Sequence, residues 1–203
     1  MTESWREHLT QDHETTERVI AAAEKAFAAP GGPSPGLVAN LRAYCVDYVD
    51  RCHNQKEERA VFPALARAGV PVEGGPVAVM LAEHARAKEL AGRIDAAARA
   101  FAGGDRAALV ALEEAFGAWA ALCKDHFWKE NDILYPMAAR LLDDAAQAAI
   151  GEGIQAVEAE RGGGTRRAAF ALAGGIGAAG GLAAPSPRGR RRVPSSDPHT
   201  APA

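Results

Sequence analysis

Apolar side chains recur at spacings of three and four residues along most of this 203-residue chain, a pattern typical of amphipathic helices. The pattern predicts four long helices and a shorter fifth, at residues 4–29, 37–61, 77–101, 106–135 and 143–159. Loops rich in glycine and proline separate them. No stretch alternates with period two for long enough to form a strand. We therefore predict an all-α fold, an antiparallel up-down-up-down four-helix bundle with a short fifth helix.

The composition changes sharply after residue 160. From Arg161 onward Gly, Ala, Pro, Ser and Arg dominate, and few large apolar side chains remain. Such a segment buries too little apolar surface to fold by itself. We therefore predict a bundle at residues 1–160 and a disordered, low-complexity tail at residues 161–203. Residues 168–184 are mostly Ala and Gly, which are too weakly hydrophobic to predict a membrane span.

The charge follows the same division. The formal net charge is −3, but the segment from Arg161 onward holds seven arginines and one acid, so the preceding residues carry −9. An acidic bundle argues against nucleic-acid binding. The RGRRR run at residues 188–192 is more typical of a solvated segment than of a binding site. Three cysteines without a CxxC pair, and a polar N-terminus without an apolar signal segment, predict a cytoplasmic protein.

One motif occurs twice. Residues 53–63 read HNQKEERAVFP and residues 126–136 read HFWKENDILYP, sharing His, Lys-Glu and an aromatic-Pro at the same positions. On a helix, residues four apart share a face, so each copy places an imidazole beside a carboxylate. Each proline is predicted to end or kink its helix. His13 precedes the first copy by 40 residues and His84 precedes the second by 42. Each half is thus predicted to be a hairpin that supplies two histidines and one glutamate.

These side chains point to a metal site. Burying four imidazoles and two carboxylates without a cation is costly, and a cation removes that cost. Imidazole and carboxylate suit iron, zinc or manganese, while six ligands are too many for one tetrahedral zinc. We predict two ions bridged by Glu57 and Glu130, with four terminal ligands, His13, His53, His84 and His126. A ligand set rich in imidazole favours the reduced state and reversible ligand binding over strong oxidation.

Four stretches resemble the haemerythrin-like, or HHE cation-binding, family: LTQDHETTERV (9–19), HNQKEERAVFPAL (53–65), GPVAVMLAEH (75–84) and HFWKENDILYPMA (126–138). The resemblance spans residues 1 to about 142. It implies a four-helix bundle with a non-haem, oxo-bridged di-iron centre. It also implies the same roles for the four histidines as terminal ligands and for the two glutamates as bridges.

Two residues depart from the pattern of the oxygen-carrying members. Met80 stands one turn before His84, where those members have a further histidine, and Glu130 stands in place of an aspartate at a longer spacing. The missing imidazole would be replaced by water or by another side chain, for which the candidates are Glu58, Glu17 and His8. Both departures argue against simple oxygen carriage.

Three functions stay open on this evidence. A di-iron centre could bind or sense a small ligand such as O2, NO or peroxide. It could turn over peroxide or NO as an enzyme. It could also store or donate iron, since similar motifs occur in iron–sulfur centre repair proteins. We predict the first of these, with a small diatomic molecule or peroxide as the partner.

Overall fold

The structure is a computed structural model that describes residues 3–162 and 164–181. Every regular element in these residues is helical, which confirms the predicted all-α fold. Two of the helices are composite, with α-helical and π-helical stretches that follow one another without a break. The six helices are α1 (Trp5–Ala28), α2 (residues 35–67), α3 (Pro76–Ala102), α4 (residues 108–141), α5 (Asp144–Glu160) and α6 (Thr165–Ala179).

Local sequence sets the beginning of the helices. Ser4 and Glu7 form a reciprocal capping box at the start of α1, in which each side chain satisfies the backbone N–H of the other residue. Ser34 caps α2, and Asp143 caps α5 by accepting from the N–H of Ala146. These caps place the start of each of the three helices within two or three residues of the position predicted from the sequence.

Each proline was predicted to end or kink its helix, and neither Pro63 nor Pro136 ends it, because the composite helices continue to residues 67 and 141. In both helices the turn before the proline is a π-turn, at Glu57–Val61 and at Glu130–Leu134. Proline lacks an N–H, and its ring crowds the carbonyl four residues earlier. A wider turn relieves this crowding, and single π-turns of this kind are frequent at functional sites. Each widened turn begins at the glutamate of the repeated motif.

The apolar core consists of two clusters. The first cluster includes Ile20, Leu41, Leu90, Phe116 and Trp119. The second cluster includes Leu9, Leu65, Met80, Tyr135 and Ile154. Along each of the four long helices, buried polar side chains lie between the stretch that enters one cluster and the stretch that enters the other. The fold therefore encloses a polar layer between two apolar layers.

The predicted disordered tail is wrong for residues 165–179, which form α6. Ala169 and Ile176 enter the first cluster, and α6 packs against α1. The approach is close at the end of α6, where a methyl group on Gly180 would lie 2.5 Å from the carbonyl oxygen of Ala22. Composition did not predict this helix because a helix of small residues is stabilised by the neighbour on which it packs. The arginine run at 188–192 lies outside the described residues.

In the part of the chain that the structure describes, no helix is long and apolar enough to span a membrane. That search covers all but the last three residues of the weakly apolar segment 168–184. The cytoplasmic location and the division into two regions after residue 160 stay predictions.

The contact between α5 and α2 offers a test of the packing. A methyl group on Gly153 would lie 2.8 Å from Cβ of Ala60, whereas one on Gly151 would meet no atom within 4 Å. We expect Gly153→Ala to lower the free energy of unfolding by about 1–3 kcal/mol, because the overlap pushes α5 away from α2. The matched control, Gly151→Ala, should raise it by about 0.5–1 kcal/mol, since alanine favours the helix.

Urea denaturation of the two variants beside the unmodified protein makes this comparison. Equal stabilisation by both substitutions would contradict the close approach of α5 to α2.

Candidate metal centre

The structure brings all six predicted ligands together in the polar layer, and none is more than 5% exposed. Their ligand atoms form two groups, in each of which the atoms lie within 4.8 Å of one another. Both glutamates belong to both groups. We name the groups position A (His13, His53, Glu57, Glu130) and position B (His84, His126, Glu57, Glu130). The arrangement fits two neighbouring cations that share two carboxylates.

In each position the two histidine rings face one another through the same nitrogen. The Nε2 atoms of His13 and His53 are 3.0 Å apart, and so are those of His84 and His126. In all four rings the other nitrogen, Nδ1, contacts an oxygen on the outer side. A ring that donates from Nδ1 carries a lone pair on Nε2. Two lone pairs that meet at 3.0 Å repel unless a proton or a metal ion accepts them.

The two glutamates are buried with few hydrogen-bond donors. Among the described residues, Oε2 of Glu57 and both carboxylate oxygens of Glu130 have no hydrogen-bonding partner. Ring nitrogens lie 3.2–3.6 Å from these oxygens, without the geometry of a hydrogen bond. Burial and the charge of Glu57 raise the pKa of Glu130 well above its ordinary value. Buried carboxylate oxygens without donors are what a cation would satisfy, so the residues fit a metal.

Within each half, an acid next to one histidine orients the other histidine. Asp12 precedes His13, and its Oδ2 lies 3.2 Å from Nδ1 of His53. Glu83 precedes His84 in the same way, and its Oε2 lies 2.8 Å from Nδ1 of His126. A carboxylate behind an imidazole fixes the ring orientation and strengthens the ring as a metal ligand.

Between the halves, the residue after each glutamate reaches the opposite hairpin. Nδ1 of His13 donates to Oδ1 of Asn131 at 2.9 Å, and Nδ1 of His84 donates to Oε1 of Glu58, also at 2.9 Å. Sequence analysis missed Asp12 and Asn131 in these roles. The signal was present, because the acid before each first histidine is repeated just as the ligands are.

The shared lysine of the motif has a matching role in both halves. Lys56 is fully buried, and its Nζ lies 2.9 Å from Oδ2 of Asp12. Lys129 donates to the carboxylate of Glu83. Each lysine therefore holds the carboxylate that orients the histidine three residues before it.

Other side chains around the site differ from expectation. None of the three candidates for the missing imidazole belongs to the two ligand groups. Glu58 binds the outer nitrogen of His84, His8 contacts Lys56 and Glu158, and Glu17 is exposed. Met80 packs in the second apolar cluster, one turn before His84. The hydroxyl of Tyr135, which the sequence did not place at the site, donates to Oε1 of Glu57 and lies 3.5 Å from Nε2 of His13.

A pocket of about 600 Å³ opens beside position B. Both His84 and Glu58 contribute to its wall, together with Asp50, Arg51, Gln55, Leu81, Ala85, Lys88 and Arg161. The pocket therefore borders His84 and the carboxylate that contacts its outer nitrogen.

Comparison with known proteins identifies similar sequences. Residues 6–138 match the Hemerythrin HHE cation binding domain, and residues 82–165 give a second, overlapping match. Uncharacterized proteins of Mycobacterium tuberculosis and Mycobacterium bovis are 27% identical over 137 residues, 64% of this chain and 51% of theirs, so the chain spans about half their length. The iron-sulfur cluster repair protein DnrN of Neisseria gonorrhoeae is 32% identical over 134 residues, 63% of this chain and 80% of that protein. No solved structure gave a significant match.

Both carboxylate oxygens of Glu130 lack a hydrogen-bonding partner among the described residues. We therefore expect this side chain to lower the stability of the metal-free protein while it contributes to metal binding. We expect Glu130→Met to raise the free energy of unfolding of chelator-treated protein by about 1–3 kcal/mol, because it replaces a buried polar group that has no partner. Glu57→Met is the matched control. It removes the carboxylate to which the hydroxyl of Tyr135 donates and leaves only the longer contact with Nε2 of His13, so its gain should be smaller or absent.

Urea denaturation in the presence of EDTA measures both variants. A loss of stability in Glu130→Met would contradict the description of its carboxylate as unsatisfied.

Proposed function

The chain belongs to the hemerythrin HHE cation-binding domain family, and from this premise we propose that it is a non-haem di-iron protein that binds or senses O2, NO or peroxide. One observation carries the proposal. Four Nε2 atoms and three carboxylate oxygens without hydrogen-bonding partners converge in a buried layer, where a cation is the partner that satisfies them all. Neutral imidazole and carboxylate form a donor set that suits iron.

Under this proposal His13 and His53 would hold one iron at position A, and His84 and His126 would hold the other at position B. Glu57 and Glu130 are shared between them. When bound, the iron pair supplies electrons and an open coordination position for a small ligand.

Met80 and the adjacent pocket support entry of a small ligand at position B. The buried thioether of Met80 occupies the place where oxygen carriers of the family have a further imidazole, so position B has one imidazole fewer than in those carriers. The pocket that borders His84 has room for a small molecule next to this ring. On the other side of the centre, Tyr135 holds a proton against Oε1 of Glu57.

The proposal includes the predicted up-down-up-down arrangement of the four long helices. The order in which the helices pass the two clusters supports it. Leu9 of α1 and Met80 of α3 lie in the second cluster, before the stretches of those helices that enter the first. Leu41 of α2 and Phe116 of α4 lie in the first cluster, before the stretches that enter the second.

A second candidate function is the donation of iron to damaged iron–sulfur clusters. The similarity to DnrN, which is described as an iron-sulfur cluster repair protein, favours it. Donation needs iron that leaves the protein, whereas sensing or reversible binding needs iron that stays while the ligand exchanges.

Optical spectra and metal analysis of the iron-loaded protein separate these functions. We expect about two irons per chain and a band that appears with O2 or NO and reverses when the gas is removed. Many turnovers of H2O2 per protein would instead identify an enzyme, and transfer of iron to an apo iron–sulfur protein would identify a donor. A single zinc and no iron after growth in iron-replete medium would contradict the di-iron proposal.

Met80→His introduces the imidazole that oxygen-carrying members of the family have at this position. An added imidazole one turn before His84 should increase iron retention at position B and change the affinity for O2. Val79→His is the matched control, because residue 79 is 46% exposed and lies outside the pocket wall, whereas residue 80 is only 3% exposed. Iron release to a chelator and gas titrations compare the two variants. Equal behaviour of both would show that residue 80 does not face the irons.

A further inference from the structure

We propose that α6 is part of the metal centre, with Arg166 positioning His53 through Asp12 and so supporting the cation at position A. The inference rests on the proposed function, since it assigns a further residue to the same site. It concerns a helix that lies outside the repeated hairpins and that the sequence predicted to be disordered.

The connection runs through two hydrogen bonds. Nε of Arg166 donates to Oδ1 of Asp12 at 2.7 Å. The other oxygen of Asp12, Oδ2, lies 3.2 Å from Nδ1 of His53 and 2.9 Å from Nζ of Lys56. Asp12 is completely buried, so these three side chains take the place of water around its carboxylate. The orientation of the carboxylate, and with it that of the His53 ring, depends on Arg166.

Arg166 is itself held in a fixed orientation. Its Nη2 donates to the backbone carbonyl of His8 at 3.0 Å and lies 3.3 Å from Oε1 of Gln11. Its guanidinium lies 4.7 Å from the centre of the Phe170 ring, on the next turn of α6. A planar guanidinium with several partners fixes direction as well as charge, which a lysine does not.

Charged side chains of α5 and α6 both enter the cluster around Asp12 and Lys56. Lys56 is buried between Asp12 and Glu158 of α5, with Nζ 2.6 Å from Oε1 of Glu158. The partly exposed Glu158 has a second partner, since Nε2 of His8 lies 2.9 Å from its Oε1. Asp12 is completely buried, so without Arg166 its Oδ1 would lose the partner that faces it.

Position B has no equivalent support from the C-terminal helices. Glu83, the counterpart of Asp12, accepts hydrogen bonds from His126 and Lys129 among the described residues, and no side chain of α5 or α6 contributes. The proposal therefore predicts an asymmetric effect. Loss of Arg166 should weaken position A and leave position B nearly unchanged.

The test uses the full chain, with Arg167→Gln as the matched control because Arg167 is the exposed neighbour of Arg166. Each variant is stripped of metal and titrated with Co²⁺, whose absorption bands report each binding step. We expect Arg166→Gln to bind one ion with unchanged affinity and the second about 10-fold more weakly, the lower end of the range for loss of a group that contacts a ligand directly, because Arg166 acts on His53 through Asp12. Arg167→Gln should bind both ions as the unmodified protein does, and Arg166→Lys should recover part of the loss.

Two unchanged binding steps in Arg166→Gln would overturn the inference, and so would equal weakening of both steps. If Arg166→Gln does not fold, as judged by circular dichroism, Arg166→Lys decides by the same criterion of selective weakening. A failure of the proposed function has a different signature, because the unmodified protein itself would then not bind two ions.

Discussion

The centre of this protein depends on the repulsion among buried groups that lack hydrogen-bonding partners among the described residues. Four imidazoles direct Nε2 atoms at one another, at 3.0 Å within each pair, and two carboxylates share the same small volume. Water is excluded, so the interaction among these groups is strong. The apolar side chains whose burial stabilises the fold lie in the two clusters, on either side of this polar layer. Apolar packing thus brings together groups that only a cation reconciles.

The two halves share this geometry but differ in charge. Burial and the neighbouring His53 lower the pKa of His13 to about 3. Burial acts on His84 in the same direction, but the carboxylates of Glu57 and Glu58 outweigh it and raise the pKa of His84 to about 9. The outer partner accounts for part of this contrast, since His13 donates to the neutral amide of Asn131 and His84 to a carboxylate. The outer partners of position B therefore include one more carboxylate than those of position A.

Sequence predicted the features that follow from helical periodicity. The convergence of His53 with Glu57 and of His126 with Glu130 requires only that residues four apart share a face. The π-turns at Glu57 and Glu130 were not predicted, because they come from a balance between the proline ring and the packing of the helix that continues beyond it. Helix α6 was missed for a related reason, since its small side chains acquire their stability from α1.

The unequal halves also explain why the repeat alone gives an incomplete description of the site. Symmetry accounts for the ligands, for the acid before each first histidine and for the lysine of each motif. It does not account for Glu158 and Arg166, because α5 and α6 have no counterpart in either hairpin. These helices act on Lys56 and Asp12, the fully buried members of the symmetric pairs, whereas Lys129 is only partly buried. The added helices contact the acid behind His53 and its lysine but not the acid behind His126, so the two ligand groups differ in their outer partners.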